Sequence, residues 1–209
     1  MGWIRFKSHS WQSVPMPHGS APVELARLPL TGHDFLAFVR FPAGWVRPVP
    51  VVYQAAEEFV IIEGELVIDG QRWAAQSYGC IDAGVIRHRT ESPSGCLAWA
   101  RFHGSPRVSR VEATSPGTPV RSAGGTLVDL DRRDLASSSK PGPHLLRELP
   151  GGSSWWYPQF DEHARAERPG AIDALALNDL SWWSGDPDSD AAPPMVGAAV
   201  VHHTSELSR

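Results

Sequence analysis

The segment Gly44–Gly64 reads GWVRPVPVVYQAAEEFVIIEG, and the fold prediction for this chain begins there. Within it, the run Glu58–Ile62 (EFVII) is short and rich in β-branched and aromatic residues, with prolines before it and a glycine after it, which is typical of a β-strand. Successive side chains of a strand point to opposite faces of its sheet, so Glu57 and Glu58 are expected to face opposite ways. The segment therefore predicts a strand that carries one acidic side chain on each face.

Further strand-like runs lie on both sides of this segment. They are Phe35–Phe41 (FLAFVRF), Glu65–Ile68 (ELVI) and Leu97–Phe102 (LAWARF). The dipeptide Asp69-Gly70 is typical of a type I′ hairpin turn. No segment of the first half carries the 3.6-residue apolar period of a capped helix. The first half of the chain is therefore predicted to be all-β, as an antiparallel barrel or sandwich.

The composition limits the class of protein. A chain of 209 residues can form one domain or two small ones around a real hydrophobic core. The formal net charge of −4 gives no electrostatic reason to expect nucleic acid or an anionic membrane as a partner. No apolar run approaches the ~20 residues of a membrane span, and the opening residues MGWIRFKSHSW lack the apolar stretch of a secretory signal. Cys80 and Cys96 have no metal-type spacing and are expected to be reduced thiols, so a cytoplasmic protein is predicted.

The spacing of Gly44, Glu57 and Gly64 resembles the first motif of the cupin superfamily, G-x5-H-x-H-x3/4-E-x6-G. In that family the two histidines and the glutamate bind a metal inside a small β-barrel. Here the histidine positions hold Pro50 and Val52, and neither side chain can donate a lone pair to a metal. The resemblance implies the cupin double-stranded β-helix, a jelly-roll barrel, with Glu57 facing its interior.

The second cupin motif, G-x5-P-x-G-x2-H-x3-N, is degenerate in this chain. Anchored on Gly84, its five fixed positions hold Gln76, Asp82, Gly84, Arg87 and Glu91. The fourth metal-ligand position is therefore an arginine, and His88 follows it directly. Moving His88 to the inner face would require a one-residue bulge.

Two other segments are similar to those of ChrR-type and DUF4437-type cupins. One is Glu57–Leu66 (EEFVIIEGEL); the other is Ala83–Ile86 (AGVI), which leads to a small turn at Ser94–Cys96 (SGC). This resemblance implies a barrel that is often duplicated and often dimeric, with a ligand at its centre, so a homodimer is expected. Dioxygenases, isomerases and sensors all occur on this fold, so the fold does not select a function.

The chain is predicted to contain a cupin barrel with N-terminal strands in residues 1–105, a linker in 106–125 and a degenerate second cupin-like lobe in 126–209. The linker is rich in Ser, Pro, Thr and Gly. Val23–Gly32 (VELARLPLTG) resembles His144–Gly152 (HLLRELPGG), and an aromatic or apolar run follows each copy. The repeat indicates a degenerate bicupin, and chance similarity between two β-rich halves is the alternative.

The substituted metal positions allow two arrangements in the cavity. In the first, Glu57 and Arg87 form a charge-assisted ion pair, which makes both buried charges tolerable. In the second, His88 bulges inward and shares a divalent metal (iron, nickel, manganese or zinc) with Glu57 and either Tyr53 or Gln54. Mixed sets of this kind bind transition metals poorly, because such sites usually take three protein ligands and favour imidazole. The prediction is the ion pair, with no cofactor.

A buried carboxylate beside a guanidinium group can also do chemistry. Arg87, with Arg101 on the neighbouring strand, is predicted to hold a substrate carboxylate, phenolate or enolate, while Glu57 acts as general acid or base. Tyr53 and Trp99 are the candidate aromatic walls. The sequence thus predicts an isomerase-, cyclase- or dehydratase-type enzyme that acts on a small, aromatic or anionic metabolite.

Three alternatives remain open at this point. They are a non-catalytic small-molecule sensor, a metal-dependent dioxygenase-like cupin that uses Glu57 and His88, and a structural cupin that works through its interface. An open cavity supports an enzyme or a sensor. A cavity plugged by Phe59, Ile61 and the ion pair supports the structural protein.

Overall fold

The computed structural model describes residues 10–28 and 33–111 in full, together with the backbone of strands at 133–134, 144–149, 152–160, 172–176, 182–185 and 197–204. The described strands fall into two compact units, one within Ser10–Asp134 and one within Leu135–Arg209. Every described element is a β-strand. Over the same residues, nothing forms a helix with the length and apolar character that a membrane crossing requires.

The strands of the first unit are short and closely spaced along the chain. They are β1 (Gln12–Val14), β2 (Val23–Arg27), β3 (Phe35–Phe41), β4 (Trp45–Arg47), β5 (Val51–Tyr53), β6 (Glu57–Ile68), β7 (Gln71–Ala74), β8 (Ser77–Ile81), β9 (Ile86–Arg87), β10 (Thr90–Ser92), β11 (Cys96–Phe102), β12 (Val108–Arg110) and β13 (Arg133–Asp134).

These strands form two antiparallel sheets. The larger sheet has the order β1-β2-β3-β11-β6-β10-β4, with β7 and β8 also paired to β6, and β13 paired to β8. The smaller sheet has the order β12-β5-β9. The strand order departs from the sequence order throughout, as in jelly-roll folds. The all-β jelly-roll prediction is confirmed.

Strand β6 turns a corner in the middle of its length. Residues Glu57–Val60 pair with β8 and β11, whereas Glu65–Ile68 pair with β7 and β10. The pairing with β11 shifts at Ile62, which is the extra residue of a β-bulge. Gly64 follows with a φ of 71°, and a Cβ there would lie 2.0 Å from the carbonyl oxygen of Gly95. Only glycine fits this corner, which explains its place in the sequence pattern.

The hairpin between β6 and β7 has the predicted geometry. Ile68 lies opposite Gln71, so the loop consists of Asp69 and Gly70 alone. Both loop residues have positive φ values, 49° and 82°. A type I′ turn requires this combination, and the turn prediction is confirmed.

The core of the first unit lies between the sheets and is strongly aromatic. The rings of Phe59 and Trp73 meet edge to face with centroids 5.6 Å apart, and the rings of Phe41 and Trp45 meet in the same way at 4.9 Å. Phe59 also lies directly opposite Gly79 of β8, where a Cβ would come within 2.3 Å of its ring. The ring therefore occupies the space that the missing side chain leaves.

The second unit is a single antiparallel sheet of five described strands. They are β14 (His144–Leu149), β15 (Gly152–Phe160), β16 (Ile172–Ala176), β17 (Trp182–Gly185) and β18 (Gly197–Thr204), in the order β14-β15-β18-β16-β17. The two segments that resemble each other in sequence contribute β2 and β14, each paired with the strand that follows it. The predicted boundaries at 105 and 126, and the linker between them, stay predictions.

Candidate functional site

A cavity of about 390 Å³ opens inside the first unit. Its volume lies within the ~300–1,000 Å³ that is typical of small-molecule sites. Most of its wall is apolar and includes Val39, Phe41, Phe59, Leu66, Ala98 and Phe102. Such a wall suits an apolar or aromatic ligand body.

Five side chains form a polar cluster on this wall: Arg47, Tyr53, Glu57, Arg87 and Thr90. Arg47 donates from Nη1 to the Tyr53 hydroxyl at 2.9 Å and from Nη2 to Thr90 Oγ1 at 3.1 Å. The guanidinium carbon of Arg87 lies 4.5 Å from the centroid of the Tyr53 ring. Arg87 Nη1 and Glu57 Oε2 form an ion pair at 2.5 Å. The contacts join all five residues into one continuous group.

Strand pairing explains why these residues meet. Arg47 of β4 lies directly opposite Thr90 of β10, and Arg87 of β9 lies opposite Val51 of β5. Tyr53 is two residues beyond Val51 and therefore shares its face of β5. Four short strands and the start of β6 thus each supply one polar side chain to the same wall.

The polar cluster carries more positive than negative charge. Arg47 and Arg87 are 2% and 4% exposed, and Glu57 is the single acidic residue among those that line the cavity. Glu57 neutralises Arg87, whereas the hydrogen-bond partners of Arg47 are two neutral hydroxyl groups. Among the fully described residues, the Nε–H groups of both arginines have no hydrogen-bond partner. A third cation, the exposed Arg27, also lines the cavity.

A second charged group lies on the opposite face of β6 and β11. Glu58 is fully buried and accepts a hydrogen bond from the Tyr78 hydroxyl at 2.5 Å; His103 Nε2 lies 3.1 Å from its other oxygen. Asp34 accepts two hydrogen bonds from Arg101, at 2.9 and 3.1 Å, and its Oδ2 lies 3.5 Å from His103 Nδ1. We refer to Asp34, Glu58, Tyr78, Arg101 and His103 as the outer network.

The outer network shifts two pKa values. Burial raises the pKa of Asp34, but the hydrogen bond with His103 and the charge and hydrogen bonds of Arg101 outweigh it and lower that pKa to about 2. Burial lowers the pKa of His103, but hydrogen bonds to Asp34 and Glu58, and the charge of Glu58, outweigh it and raise that pKa. Both shifts favour the charged forms of these two groups.

Three of the predicted site residues meet at the cavity. Glu57, Arg87 and Tyr53 all line it, and the ion pair expected between the first two is present. Glu57 is inside and Glu58 is outside, as strand alternation requires.

The expected positions of Trp99 and Arg101 need correction. On β11 the cavity is lined by Ala98, Ala100 and Phe102. The residues between them point to the other face of the sheet, where Arg101 binds Asp34. Trp99 and Arg101 alternate along β11 with the residues that line the cavity. Their side chains therefore point to the other face of the sheet, and neither belongs to the cavity wall.

His88 also lies away from the cavity. Its side chain is 62% exposed, with Nδ1 3.2 Å from Asp69 Oδ2, and its backbone N–H donates to the same oxygen at 3.1 Å. The bulge that would have turned His88 inward is absent from β9, where Arg87 keeps the inner position. The alternative that placed His88 beside Glu57 is therefore corrected.

The residues at this site do not fit a metal ion. Of the four positions at which a cupin binds a metal, Pro50 and Val52 offer no donor, Arg87 is a cation, and Glu57 is already paired with it. In the part of the chain that the structure describes, no three His, Cys, Asp or Glu side chains cluster in a way that could hold a metal. A metal at Glu57 would have to displace the guanidinium group.

The two cysteines contribute no nucleophile to the cavity. Both are buried and unbridged. Burial, and secondly the charge of Glu65, raise the pKa of the Cys96 thiol to about 12. A thiol in that state stays protonated and unreactive.

Sequence reasoning missed Arg47. Arg47 lies between Gly44 and Pro50, in the part of the first cupin motif where no residue type is fixed. Strand alternation offered a signal, because Arg47 lies two residues beyond Trp45 and therefore on the same face of β4. Trp45 is 2% exposed, so its face is the inner one.

Solved structures show which fold this is. A "putative dioxygenase" from Nostoc punctiforme superposes with a TM-score of 0.70 at 15% identity, over 99% of this chain and 83% of that one. The chain has the cupin fold. The polyketide cyclase RemF from Streptomyces resistomycificus gives a TM-score of 0.46 at 14% identity, over 55% of this chain and 88% of that one. An acetylacetone dioxygenase from Acinetobacter johnsonii gives a TM-score of 0.42 at 16% sequence identity, over 47% of this chain and 71% of that one.

These likenesses to other cupin-fold proteins concern the fold alone. No protein-family model matches the sequence, and no curated protein matches it either. The fold alone does not select a function for this chain, so the side chains of the cavity are the relevant features.

Proposed function

We propose that this chain is a cupin-fold enzyme that acts on a small anionic metabolite in the barrel cavity without a metal. Glu57 is its general acid or base, and the reaction is of the isomerase, cyclase or dehydratase type. The observation that carries the proposal is the polar cluster, in which one carboxylate and two buried guanidinium groups share the wall of an apolar cavity.

The proposed chemistry begins with a proton transfer. Glu57 sits at the start of β6 with its side chain 13% exposed, so a molecule in the cavity can reach the carboxylate. A carboxylate can remove a proton from carbon next to a carbonyl group, which leaves an enolate. Arg47 and Arg87 supply fixed positive charge beside it, and fixed charge in a water-poor cavity stabilises a developing anion. Return of the proton to another atom completes an isomerisation.

Arg87 also prepares Glu57 for this role. The ion pair holds the carboxylate in one position, so little reorganisation precedes proton transfer. The Tyr53 ring stacks against the Arg87 guanidinium group and restricts it in turn. A general base needs this kind of support from its neighbours.

A binding or sensor protein is the second candidate function. The same cavity and the same charges would serve it, since its apolar wall and convergent polar groups are those of a ligand site. The open volume favours either of these over a structural cupin, because Phe59 and the ion pair line the cavity without filling it.

The test separates turnover from binding. We expect the wild-type protein to accelerate the keto–enol exchange of at least one member of a panel of oxo acids that includes phenylpyruvate, followed by ultraviolet absorbance. Glu57→Gln keeps the shape of the side chain and should lower turnover by about 100-fold or more while retaining ligand binding. Turnover that survives in Glu57→Gln contradicts the general-base role. Binding without turnover in the wild type makes the protein a sensor.

A further inference from the structure

The charge of the polar cluster is unbalanced, and this imbalance points to the ligand. The two buried arginines bring two positive charges to the cavity, and Glu57 supplies one negative charge. Burying a charge without a counter-ion is costly, so such groups are normally paired. Within the described part of the chain, Arg47 has no carboxylate within ion-pair distance, and its partners are Tyr53 and Thr90.

Arg47 also has unused hydrogen-bonding capacity. A guanidinium group has five N–H groups, and Tyr53 and Thr90 engage one each. Its Nε–H has no partner among the described residues, although the side chain is almost wholly buried. The Nε edge of a guanidinium group is one of those that bind both oxygens of a carboxylate. Arg47 therefore brings an unneutralised charge and an unused N–H group to the wall of the cavity.

From these observations we propose that the ligand is a monoanion with an apolar or aromatic body, and that Arg47 binds its anionic group. This inference rests on the proposed function, because it names the substrate class for the same cavity. Carboxylates match the planar fork of arginine best, and phenolates and enolates are the weaker alternatives. The rings of Phe41, Phe59 and Phe102 on the wall would contact the body of the ligand.

The two arginines have different roles in this arrangement. Arg87 is held by Glu57 and stays with the base, whereas Arg47 has its charge available for the substrate. The hydroxyl groups of Tyr53 and Thr90 orient Arg47 without neutralising it. Exposed Arg27 adds positive charge at the cavity wall and attracts anions toward it.

The test compares a charged ligand with its neutral analogue. Phenylacetate and phenylacetamide have nearly the same shape and differ by one negative charge. Isothermal titration should show wild-type protein binding phenylacetate at least about 30-fold more tightly. Arg47→Met keeps the volume of the side chain, and it should abolish this preference while leaving phenylacetamide binding within about threefold. Arg40→Met, which removes an exposed charge paired with Glu24, is the matched control and should keep the preference.

Two further measurements keep the result interpretable. Arg47→Met removes a buried charge that has no counter-ion, and burying such a charge is costly, so this variant should unfold at the same temperature as wild type or higher without ligand. Phenylacetate should raise the unfolding temperature of wild type and not that of Arg47→Met. Arg47→Lys keeps the positive charge but loses the planar guanidinium group, so it should retain part of the preference for phenylacetate over phenylacetamide. This variant replaces Arg47→Met in the test if Arg47→Met does not fold.

The outcomes separate this inference from the proposed function. Equal affinity for acid and amide in the wild type, or an acid preference that persists in Arg47→Met, overturns the role of Arg47 and leaves the general base untouched. An acid preference that depends on Arg47, together with full turnover in Glu57→Gln, supports the anion site and removes the proposed mechanism.

Discussion

Glu57 and Glu58 are neighbours in the chain and have opposite surroundings. Glu57 faces a cavity, is 13% exposed and pairs with Arg87 beside a second, unneutralised arginine. Glu58 faces the outer network, is 0% exposed, and is bound by Tyr78 and His103. On one face of the strand the polar groups border open space, and on the other they are closely packed.

This contrast predicts that the polar groups beside the cavity contribute little to folding stability, whereas the packed polar groups on the other face contribute much more. A polar group beside a cavity can exchange its partner for water or a ligand, so its removal costs little folding energy. A polar group with fixed protein partners on every side cannot do so, and its removal leaves those partners unsatisfied. We therefore interpret the cavity face as the functional face of β6 and the outer face as a structural one.

The largest expected effect compares the two carboxylates directly. Glu58→Ala should lower the free energy of unfolding by about 3–5 kcal/mol, because it breaks a buried charged network. Glu57→Ala should lower it by less, about 2 kcal/mol, because the carboxylate borders a cavity in which water can partly replace it beside the buried Arg87. Urea denaturation of both variants measures the difference. Equal losses would show that the two faces do not differ in this way.

The next effect compares the two tyrosine hydroxyl groups. Tyr78→Phe removes a donor to a buried carboxylate and should cost about 2 kcal/mol of folding free energy. Tyr53→Phe removes an acceptor for Arg47 at the cavity and should cost about 1 kcal/mol or less. The same denaturation series tests this order, and a reversed order would contradict the assignment of the faces.

The smallest expected effect is on the pH dependence of stability. The pKa of Asp34 falls to about 2 in the folded state. The contribution of Asp34 to the free energy of unfolding is therefore present above about pH 4 and is lost between pH 4 and 2. Because the pKa of His103 is raised, its contribution is present below about pH 6.5 and is lost as the pH rises through the raised value. Asp34 is a quarter exposed, so its share is about 1 kcal/mol.

Thermal unfolding from pH 2 to 9 measures both contributions. Asp34→Asn should flatten the acid side of the profile, and His103→Gln should flatten the other side. If Asp34→Asn loses as much stability as wild type between pH 4 and 2, Asp34 is not the group that titrates there.

The sequence was informative where one strand or one turn decides the structure. Period-two alternation was enough to separate Glu57 from Glu58, and the Asp69-Gly70 turn followed from its two residues. Gly64 was recognised as a fixed motif position from its spacing to Glu57, whereas the corner that it forms also involves the distant carbonyl group of Gly95. The first two of these features depend on neighbours within a few residues.

The rest of the site depends on pairing between distant segments. Arg47 meets Thr90 across 43 residues, and Arg101 meets Asp34 across 67. No local pattern encodes either pair, because strand order and register are tertiary properties. For that reason the sequence did not predict the partner of Arg47 or of Arg101, although strand alternation indicates the face on which each of them lies.

Gly79 lies on β8, outside the cavity wall, yet it helps to set the size of the cavity. The ring of Phe59 rests where a side chain at residue 79 would be, and the other side of this ring borders the cavity. A methyl group at residue 79 would push the ring into the cavity. The volume of the cavity is thus set in part by a residue that does not line it, and a substitution at residue 79 would change that volume from behind the wall.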